Sequence, residues 1–266
     1  MVQAAHIILP QRSPKFSFDK VGQCIYCGIS GQETILTDEH IVPDGLNGNL
    51  VLPEASCQKC QRHINDFEFQ AMRYSLNLGR AKYGVRSKKG VKRGKKKVTA
   101  SGNGHDHFEI GPNMPTLVAI SHYNRKADAI TGRHGDDAAA NTLAWSPIKT
   151  LPPTVKVRPG DMTRFAAKIA HAYATAVFGI HKFKPFLIDH ILGHGDKGIP
   201  LYLGITDSLP VQVPAVVDIE AFDMIMPVYL LPSMPAVNRH VIIVKIRLFS
   251  VEYDLPTYEI VAGEII

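Results

Sequence analysis

The 266-residue sequence predicts an α+β protein built from three segments. All four cysteines lie between residues 24 and 60, and residues 80–97 hold ten basic residues and no acidic one. After residue 100, patterns typical of strands and of helices do not alternate regularly, which favours α+β over a doubly wound parallel sheet. We therefore expect a cysteine-containing module at residues 1–79 with its core at 22–68, a basic linker or arm at 80–100, and an α+β domain of unknown role at 101–266.

The composition is typical of a globular chain. Hydrophobic residues make up 45% and charged residues 20%, which excludes collagen-like, disulfide-dense and disordered classes. No stretch reaches about 18 uninterrupted apolar residues, so no membrane span is expected. The N-terminus lacks a charged region followed by a long apolar stretch, which argues against a secretory signal. We expect a cytoplasmic protein whose cysteines stay reduced.

The net charge of +6 is unevenly distributed along the chain. Residues 1–100 carry +8 and residues 101–266 carry −2. An excess concentrated in one half indicates a polyanionic partner for that half. The alternative interpretation of the basic run is a solvated, disordered linker.

Two Cys-x-x-Cys pairs define the first module. Cys24 and Cys27 form one pair, Cys57 and Cys60 form the other, and 29 residues separate them. Four thiolates complete a tetrahedral Zn²⁺ shell with no open position, so the spacing predicts a structural zinc ion rather than a catalytic one. A redox-active dithiol or an iron–sulfur cluster are the alternatives.

The residues between the two pairs predict strand, loop, strand and helix. Strand formers surround Asp38-Glu39-His40, which we call the acid–His segment. Gly45 to Asn49 has turn composition, and Leu50 to Leu52 is a second short strand. Residues 58–79 are compatible with a helix.

The second domain shows strand and helix patterns in irregular order. Residues 117–122, 244–248 and 258–261 are predicted strands. A helix is predicted from an N-cap at Asp161 to Gly179, with a core-facing stripe that includes Phe165, Ile169 and Tyr173. A shorter helix is predicted over residues 185–192, ending near Gly193.

Together, these motifs resemble the HNH endonuclease family, whose active site is a ββα-metal fold. The resemblance rests on Cys24-x-x-Cys27, on Glu39-His40-Ile41-Val42-Pro43, on the Gly/Asn loop and on Cys57-x-x-Cys60. It implies a metal-dependent nuclease that hydrolyses DNA phosphodiester bonds. In the zinc-containing branch of that family, the zinc is structural and a second divalent ion works in the active site.

The resemblance assigns roles within the acid–His segment. His40 matches the general base, a task that suits imidazole near neutral pH. Glu39 matches the first ligand of the catalytic ion, and an oxygen ligand suits Mg²⁺ or Mn²⁺. Asp38 competes for this role, because a regular strand places Asp38 and His40 on one face. We follow the motif, since bulges re-aim side chains beside active sites.

Two positions depart from the family pattern. The family has Asn or His directly after the last cysteine, where this chain has Gln61. His63 is our predicted helix ligand, with Gln61 and Asn65 as alternatives. The usual middle Asn is replaced by Leu52, so Asn49 is assigned as the loop-orienting residue. Glu68 is expected to be a surface charge.

The basic stretch follows the predicted catalytic helix and is expected to contact DNA phosphates. Duplex DNA is the expected partner from the resemblance, and Tyr83 alone makes no stacking platform for single strands. The main alternative is a non-catalytic zinc-finger nucleic-acid-binding protein with a degenerate nuclease site, and a protein-interaction scaffold is a third. The predicted DNA-binding residues are Arg80, Lys82, Arg86, Lys88, Lys89, Lys92, Arg93, Lys95, Lys96 and Lys97.

Overall fold

The α+β prediction is confirmed by the computed structural model, which describes residues 3–8, 14–73, 76, 80, 85, 97–101, 105–109, 117–121, 141–145, 159–194, 203–206, 215–228, 237–248 and 257–266. The helices are α1 (Gln58–Arg73), α2 (Pro159–Phe178) and α3 (Ile188–Leu192). The strands are β1 (Gln3–Ile8), β2 (Phe16–Ser17), β3 (Leu36–His40), β4 (Leu50–Cys57), β5 (Lys97–Ser101), β6 (His105–Glu109), β7 (Leu117–Ser121), β8 (Asn141–Trp145), β9 (Phe183–Pro185), β10 (Leu203–Thr206), β11 (Ala215–Val228), β12 (Val237–Leu248) and β13 (Thr257–Ile265). Among the described helices, none combines the length and the apolar character needed to cross a membrane.

A small sheet and one helix form the first part of the fold. Strand β3 runs antiparallel to β4, and β2 pairs in parallel with the other edge of β4. Helix α1 follows β4 directly. The predicted order of strand, loop, strand and helix is therefore confirmed. Strand β4 continues past Leu52 to Cys57, and α1 ends at Arg73 rather than at residue 79.

A larger antiparallel sheet contains most of the C-terminal strands. Its order is β1-β11-β12-β13-β10, and β9 pairs with β13. The predicted strands at 244–248 and 258–261 lie inside β12 and β13. Burial alternates along β11, where Val217, Ile219 and Ala221 are buried and the residues between them are partly exposed. Strand β1 joins this sheet beside β11, so the chain's first described strand lies with its last ones.

Helix α2 shares one hydrophobic core with the small sheet and with the larger antiparallel sheet. The predicted stripe of Phe165, Ile169 and Tyr173 is fully buried, which confirms it as core packing. These residues belong to one continuous hydrophobic cluster that also contains residues of the small and the large sheet. The helix begins at Pro159, where proline suits a first turn, and Gly179 with φ of +91° follows its last residue.

His171 attaches α2 to the first cysteine pair. Its Nε2–H donates to the carbonyl oxygen of Ile25 at 2.8 Å, and its ring lies 5.6 Å from the Tyr26 ring. Burial lowers the pKa of His171 to about 4, although the Ile25 carbonyl favours the protonated form. The imidazole is therefore neutral at pH 7 and donates one hydrogen bond across the contact.

Acidification is expected to weaken this contact. The pKa of His171 is about 4 in the folded protein and about 6.5 in an unfolded chain. The unfolded state therefore binds more protons between those values, so stability is lost as the pH falls through this window, by on the order of 3 kcal/mol. Denaturant unfolding at pH 7 and pH 4.5 should show a smaller loss in His171→Gln than in the parent. Equal losses would contradict the assignment.

Candidate metal centre and active site

The four cysteines converge as the spacing predicts. All four Sγ atoms lie within 4.8 Å of one another, and those of Cys27 and Cys57 are 3.7 Å apart. A tetrahedral Zn²⁺ ion with bonds of about 2.3 Å requires sulfur–sulfur distances of about 3.8 Å. The cluster therefore fits zinc, and its four thiols complete the shell, as expected of a structural site.

The backbone shapes the first pair into a tight turn. The Cys24 N–H donates to Ile29 O at 2.8 Å, and the Gly28 N–H donates to Cys24 O at 2.9 Å. Gly28 has φ of +77°, a conformation that suits glycine. Cys57 ends β4 and Cys60 lies in the first turn of α1, so a bound ion connects the turn, the sheet and the helix. The hydrogen bond between Cys24 and Cys60 lowers the pKa of the Cys24 thiol and raises that of the Cys60 thiol.

The acid–His segment lies opposite a β-bulge in β4. The register of the two strands shifts between Thr37 and Glu39, where three residues of β4, 53–55, lie opposite Asp38 alone. Asp38 is exposed and accepts a hydrogen bond from the Glu54 N–H at 3.4 Å, whereas Glu39 is buried. Burial thus alternates along the segment, and the carboxylate directly before His40 lies inside the protein, on the opposite face of β3 from Asp38.

Glu39 belongs to a buried charge cluster that α2 completes. The Lys168 ammonium lies 2.6 Å from Glu39 Oε1 and 2.9 Å from Glu68 Oε1. It also donates to the carbonyl oxygens of His40 and Ile41. Lys168 is 1% exposed. We call Glu39, Glu68 and Lys168 the charge triad.

Within the charge triad, the two carboxylates hold Lys168 in its charged form. Burial alone would lower the pKa of Lys168, but the two carboxylates outweigh it and hold that pKa above its usual value. Burial raises the pKa of Glu68, and Lys168 opposes the rise. A buried charge is tolerated only when it is paired, so each member depends on the others. The expectation that Glu68 is a surface charge is wrong, since it is 8% exposed.

His40 ends β3 next to this triad. It pairs with Val51 of β4 and is half-buried. Burial, with the positive charges of Lys15 and Lys168, lowers its pKa below the usual value. Its buried Nδ1 has no hydrogen-bond partner among the described residues. The lowered pKa favours the neutral imidazole, which is the form that accepts a proton.

The loop between β3 and β4 is tightly packed. Asn49 is buried, donates through Nδ2 to Pro14 O at 3.1 Å and leaves Oδ1 without a partner among the described residues. Asn47 has φ of +59°, which asparagine tolerates. A Cβ added at Gly48 would lie 1.8 Å from Val42 O, so only glycine fits beside the residues that follow His40.

Gly48→Ala is expected to destabilise the protein by about 2 kcal/mol or more, since the added methyl group displaces the Val42 backbone. Gly31→Ala is the control, because a Cβ there meets its nearest atom at 3.3 Å and requires a smaller adjustment. Denaturant unfolding of both variants measures the difference. Equal stability of Gly48→Ala and the parent would contradict the close approach.

His63 lies in a different place from the charge triad. Its Nε2 is 2.7 Å from Leu192 O and 2.8 Å from Arg164 Nη2, at the C-terminal end of α3. It lines a cleft of about 900 Å³ beside the cysteine cluster. Within the described part of the chain, no contact joins His63 to Glu39 or His40. Gln61, in contrast, lies seven residues before Glu68 and therefore shares its face of α1.

Arg80 is held within the first module. Its Nε donates to Gly45 O at 2.7 Å and its Nη1 to Met72 O at 3.2 Å. Burial lowers the pKa of its guanidinium. The predicted DNA-binding residues from Lys82 to Lys96 lie outside the described residues, and Lys97 begins β5.

Sequence reasoning missed Lys168 and misjudged Glu68. For both residues, the position within an apolar helical stripe indicates burial. Lys168 follows Phe165 by three residues, on the buried stripe of α2, and Glu68 follows Ile64 by four on the buried face of α1. A charged residue within an apolar helical stripe must find a partner, and these two find each other across the fold.

The comparisons with known proteins agree with the motifs. Residues 24–75 match the family model described as HNH endonuclease. Neither a search of curated proteins nor one of solved structures finds a match to the chain. The matched residues contain both cysteine pairs, the acid–His segment and all of α1. The stretch from residue 24 to residue 75, which we call the family region, thus matches the HNH endonuclease family model, and the resemblance seen in its motifs is confirmed.

Proposed function

We propose that this protein is a metal-dependent HNH-type endonuclease that hydrolyses DNA phosphodiester bonds. The observation that carries the proposal is the state of His40 inside the family region. A half-buried imidazole with a lowered pKa and an unpartnered ring nitrogen stands directly after a buried carboxylate. A neutral imidazole beside a carboxylate supports general-base attack by water on a phosphodiester.

His40 acts as the general base in this proposal. Because its pKa lies below the usual value, the imidazole is unprotonated at neutral pH and accepts the proton of the attacking water. Asn49 supports the loop that follows the acid–His segment. Its hydrogen bond to Pro14 O and the Phe16 N–H bond to Asn49 O anchor the loop to the chain before it.

A Mg²⁺ or Mn²⁺ ion is the proposed catalytic cofactor, and it would neutralise charge on the phosphate and the leaving oxygen. Glu39 is the proposed first ligand. Lys168 contacts its Oε1, and a carboxylate has a second oxygen with which to bind a metal. Asp38 and His63 remain proposed ligands, with Gln61 as the helix alternative favoured by its position on the Glu68 face.

Duplex DNA is the proposed partner, and the basic arm at residues 80–97 supplies affinity for its backbone. The proposed setting is the cytoplasm, where the zinc-binding thiols stay reduced.

Neutralising Lys95, Lys96 and Lys97 with alanine is expected to weaken DNA binding. If each contacts one phosphate, the slope of log K against log salt should fall by about 0.9 per lysine. Fluorescence anisotropy with a labelled duplex at several salt concentrations measures this slope. The control removes the exposed Lys182 and Lys184, and it should leave the slope near that of the parent. An unchanged slope in the triple variant would overturn the role of the arm.

The second candidate is a non-catalytic DNA-binding protein with a degenerate site. Gln61 at the usual ligand position and the engagement of Glu39 by Lys168 favour it. Incubating purified protein with duplex DNA and Mg²⁺, Mn²⁺ or EDTA distinguishes the two, with binding measured in parallel. Cleavage only with a divalent ion supports the nuclease. Binding without cleavage under every ion supports the second candidate.

A further inference from the structure

We propose that Lys168 is a positioning residue of the nuclease site, so that α2, which is distant in sequence, is an integral part of that site. The inference rests on the proposed function, in which His40 is the base. It is carried by the contacts of the Lys168 ammonium with four oxygens: two carboxylate oxygens and the two successive carbonyl oxygens of His40 and Ile41.

These contacts fix the backbone that bears the catalytic imidazole. An ammonium group has three protons, and here four oxygens compete for them in a site closed to solvent. Two of the oxygens belong to the peptide groups on either side of the Ile41 Cα. Lys168 therefore restrains the end of β3 at the residue whose ring must meet the attacking water. Contacts to the Glu39 carboxylate orient the neighbouring acid at the same time.

Two neighbours on α2 extend the same face. Arg164, Lys168 and His171 stand at i, i+4 and i+7, and therefore lie along one side of the helix. Arg164 contacts His63 of α1 and lies 4.5 Å from the centre of the Phe67 ring. His171 contacts Ile25 in the first cysteine pair. One face of α2 thus contacts α1, the acid–His segment and the turn of the first cysteine pair, which we call the zinc-binding turn. Lys168 lies at the middle of that face.

A variant that tests Lys168 must keep the net charge of the charge triad unchanged. Removing Lys168 alone leaves two buried carboxylates without a cation, and such a variant is expected to fold poorly. The double variant Lys168→Met with Glu68→Gln keeps the triad's net charge at one negative unit and conserves side-chain size. It removes the ammonium from the His40 and Ile41 carbonyls while leaving Glu39 in place. Lys182→Met, on an exposed lysine, is the matched control.

The full-length double variant, the control and the parent are compared for zinc content, thermal unfolding, duplex affinity and steady-state cleavage. We expect one zinc per chain throughout, and DNA affinity and KM within about twofold of the parent. The kcat of the double variant should fall by about 100-fold or more, the scale of a 1 Å misplacement. Histidine-labelled NMR spectra, with the His40 signal assigned through His40→Ala, should show that signal shifted in the double variant.

The outcomes separate this inference from the proposed function. A folded double variant that cleaves within about threefold of the parent would overturn the positioning role and leave the nuclease intact. If the parent itself does not cleave DNA, the proposed function fails. The NMR comparison then decides the positioning role, because an unmoved His40 signal overturns it and a shifted signal supports it.

Discussion

Replacing Cys57 with serine is expected to abolish tight zinc binding and to lower the free energy of unfolding by at least about 5 kcal/mol, since a structural Zn²⁺ contributes about 10 kcal/mol or more to folding. Three of the four cysteines are buried, and residues of the zinc-binding turn share one hydrophobic cluster with α2. Loss of the ion should therefore loosen the contact between α2 and the first module, as well as the ends of β4 and α1.

Zinc content by plasma emission spectroscopy and denaturant unfolding measure these effects. The control is Gln58→Ala, an exposed neighbour of Cys57, and it should retain one zinc per chain and parental stability. A strong chelator should reproduce the serine variant in the parent. A metal-free parent with unchanged stability would show that the cysteine cluster does not hold the fold.

His40→Ala is expected to lower kcat for DNA cleavage by about 10²–10⁴-fold, because general-base catalysis contributes on that scale. Zinc content and duplex affinity should remain those of the parent, since the His40 side chain is not among the residues that close the zinc site or the charge triad. His181→Ala is the matched control, because this histidine is exposed just beyond the end of α2. Quantified cleavage of a labelled duplex under single-turnover conditions gives the rate constants. Equal rates for parent and His40→Ala would remove His40 from the mechanism.

Local patterns were sufficient to predict the first module. Two Cys-x-x-Cys pairs place four sulfurs at one ion because each pair needs only a tight turn, and Gly28 provides the left-handed residue of the first. Alternating strand formers on both sides of a Gly/Asn loop predict β3 and β4, and the same local logic predicts α2 from its four-residue period. Helix ends were less accurate, as for α1, since fraying at a terminus depends on tertiary contacts.

The choice between Asp38 and Glu39 as the buried carboxylate shows what local patterns cannot predict. Strict alternation places Asp38 and His40 on one face of β3, and of these three residues Glu39 is the buried one. Which face is buried depends on how β4 meets β3, including the β4 bulge at residues 53–55 with the left-handed Glu54. The periodicity of one segment does not predict how its partner strand pairs with it.

The charge triad could not be predicted from the sequence either, because it depends on contacts between elements that are distant along the chain. Lys168 lies 129 residues after Glu39 and 100 residues after Glu68, and no spacing rule relates a lysine on one helix to acids on other elements. The sequence does place a lysine within an apolar helical stripe. A lysine in such a position requires a partner of opposite charge, but the sequence does not identify that partner. His63 remains a prediction: its nearness to Cys60 in the sequence suggested a ligand, and its described contacts are with Leu192 and Arg164.

Nicking of supercoiled plasmid DNA by the parent and by His40→Ala, side by side in Mg²⁺ and in Mn²⁺, tests the central claim most directly. The proposed mechanism predicts that the parent converts supercoiled plasmid to the open or linear form and that His40→Ala leaves it supercoiled while still binding it. If both proteins bind the plasmid and neither cuts it with any divalent ion, the HNH region of this chain is a DNA-binding module and the catalytic account is wrong.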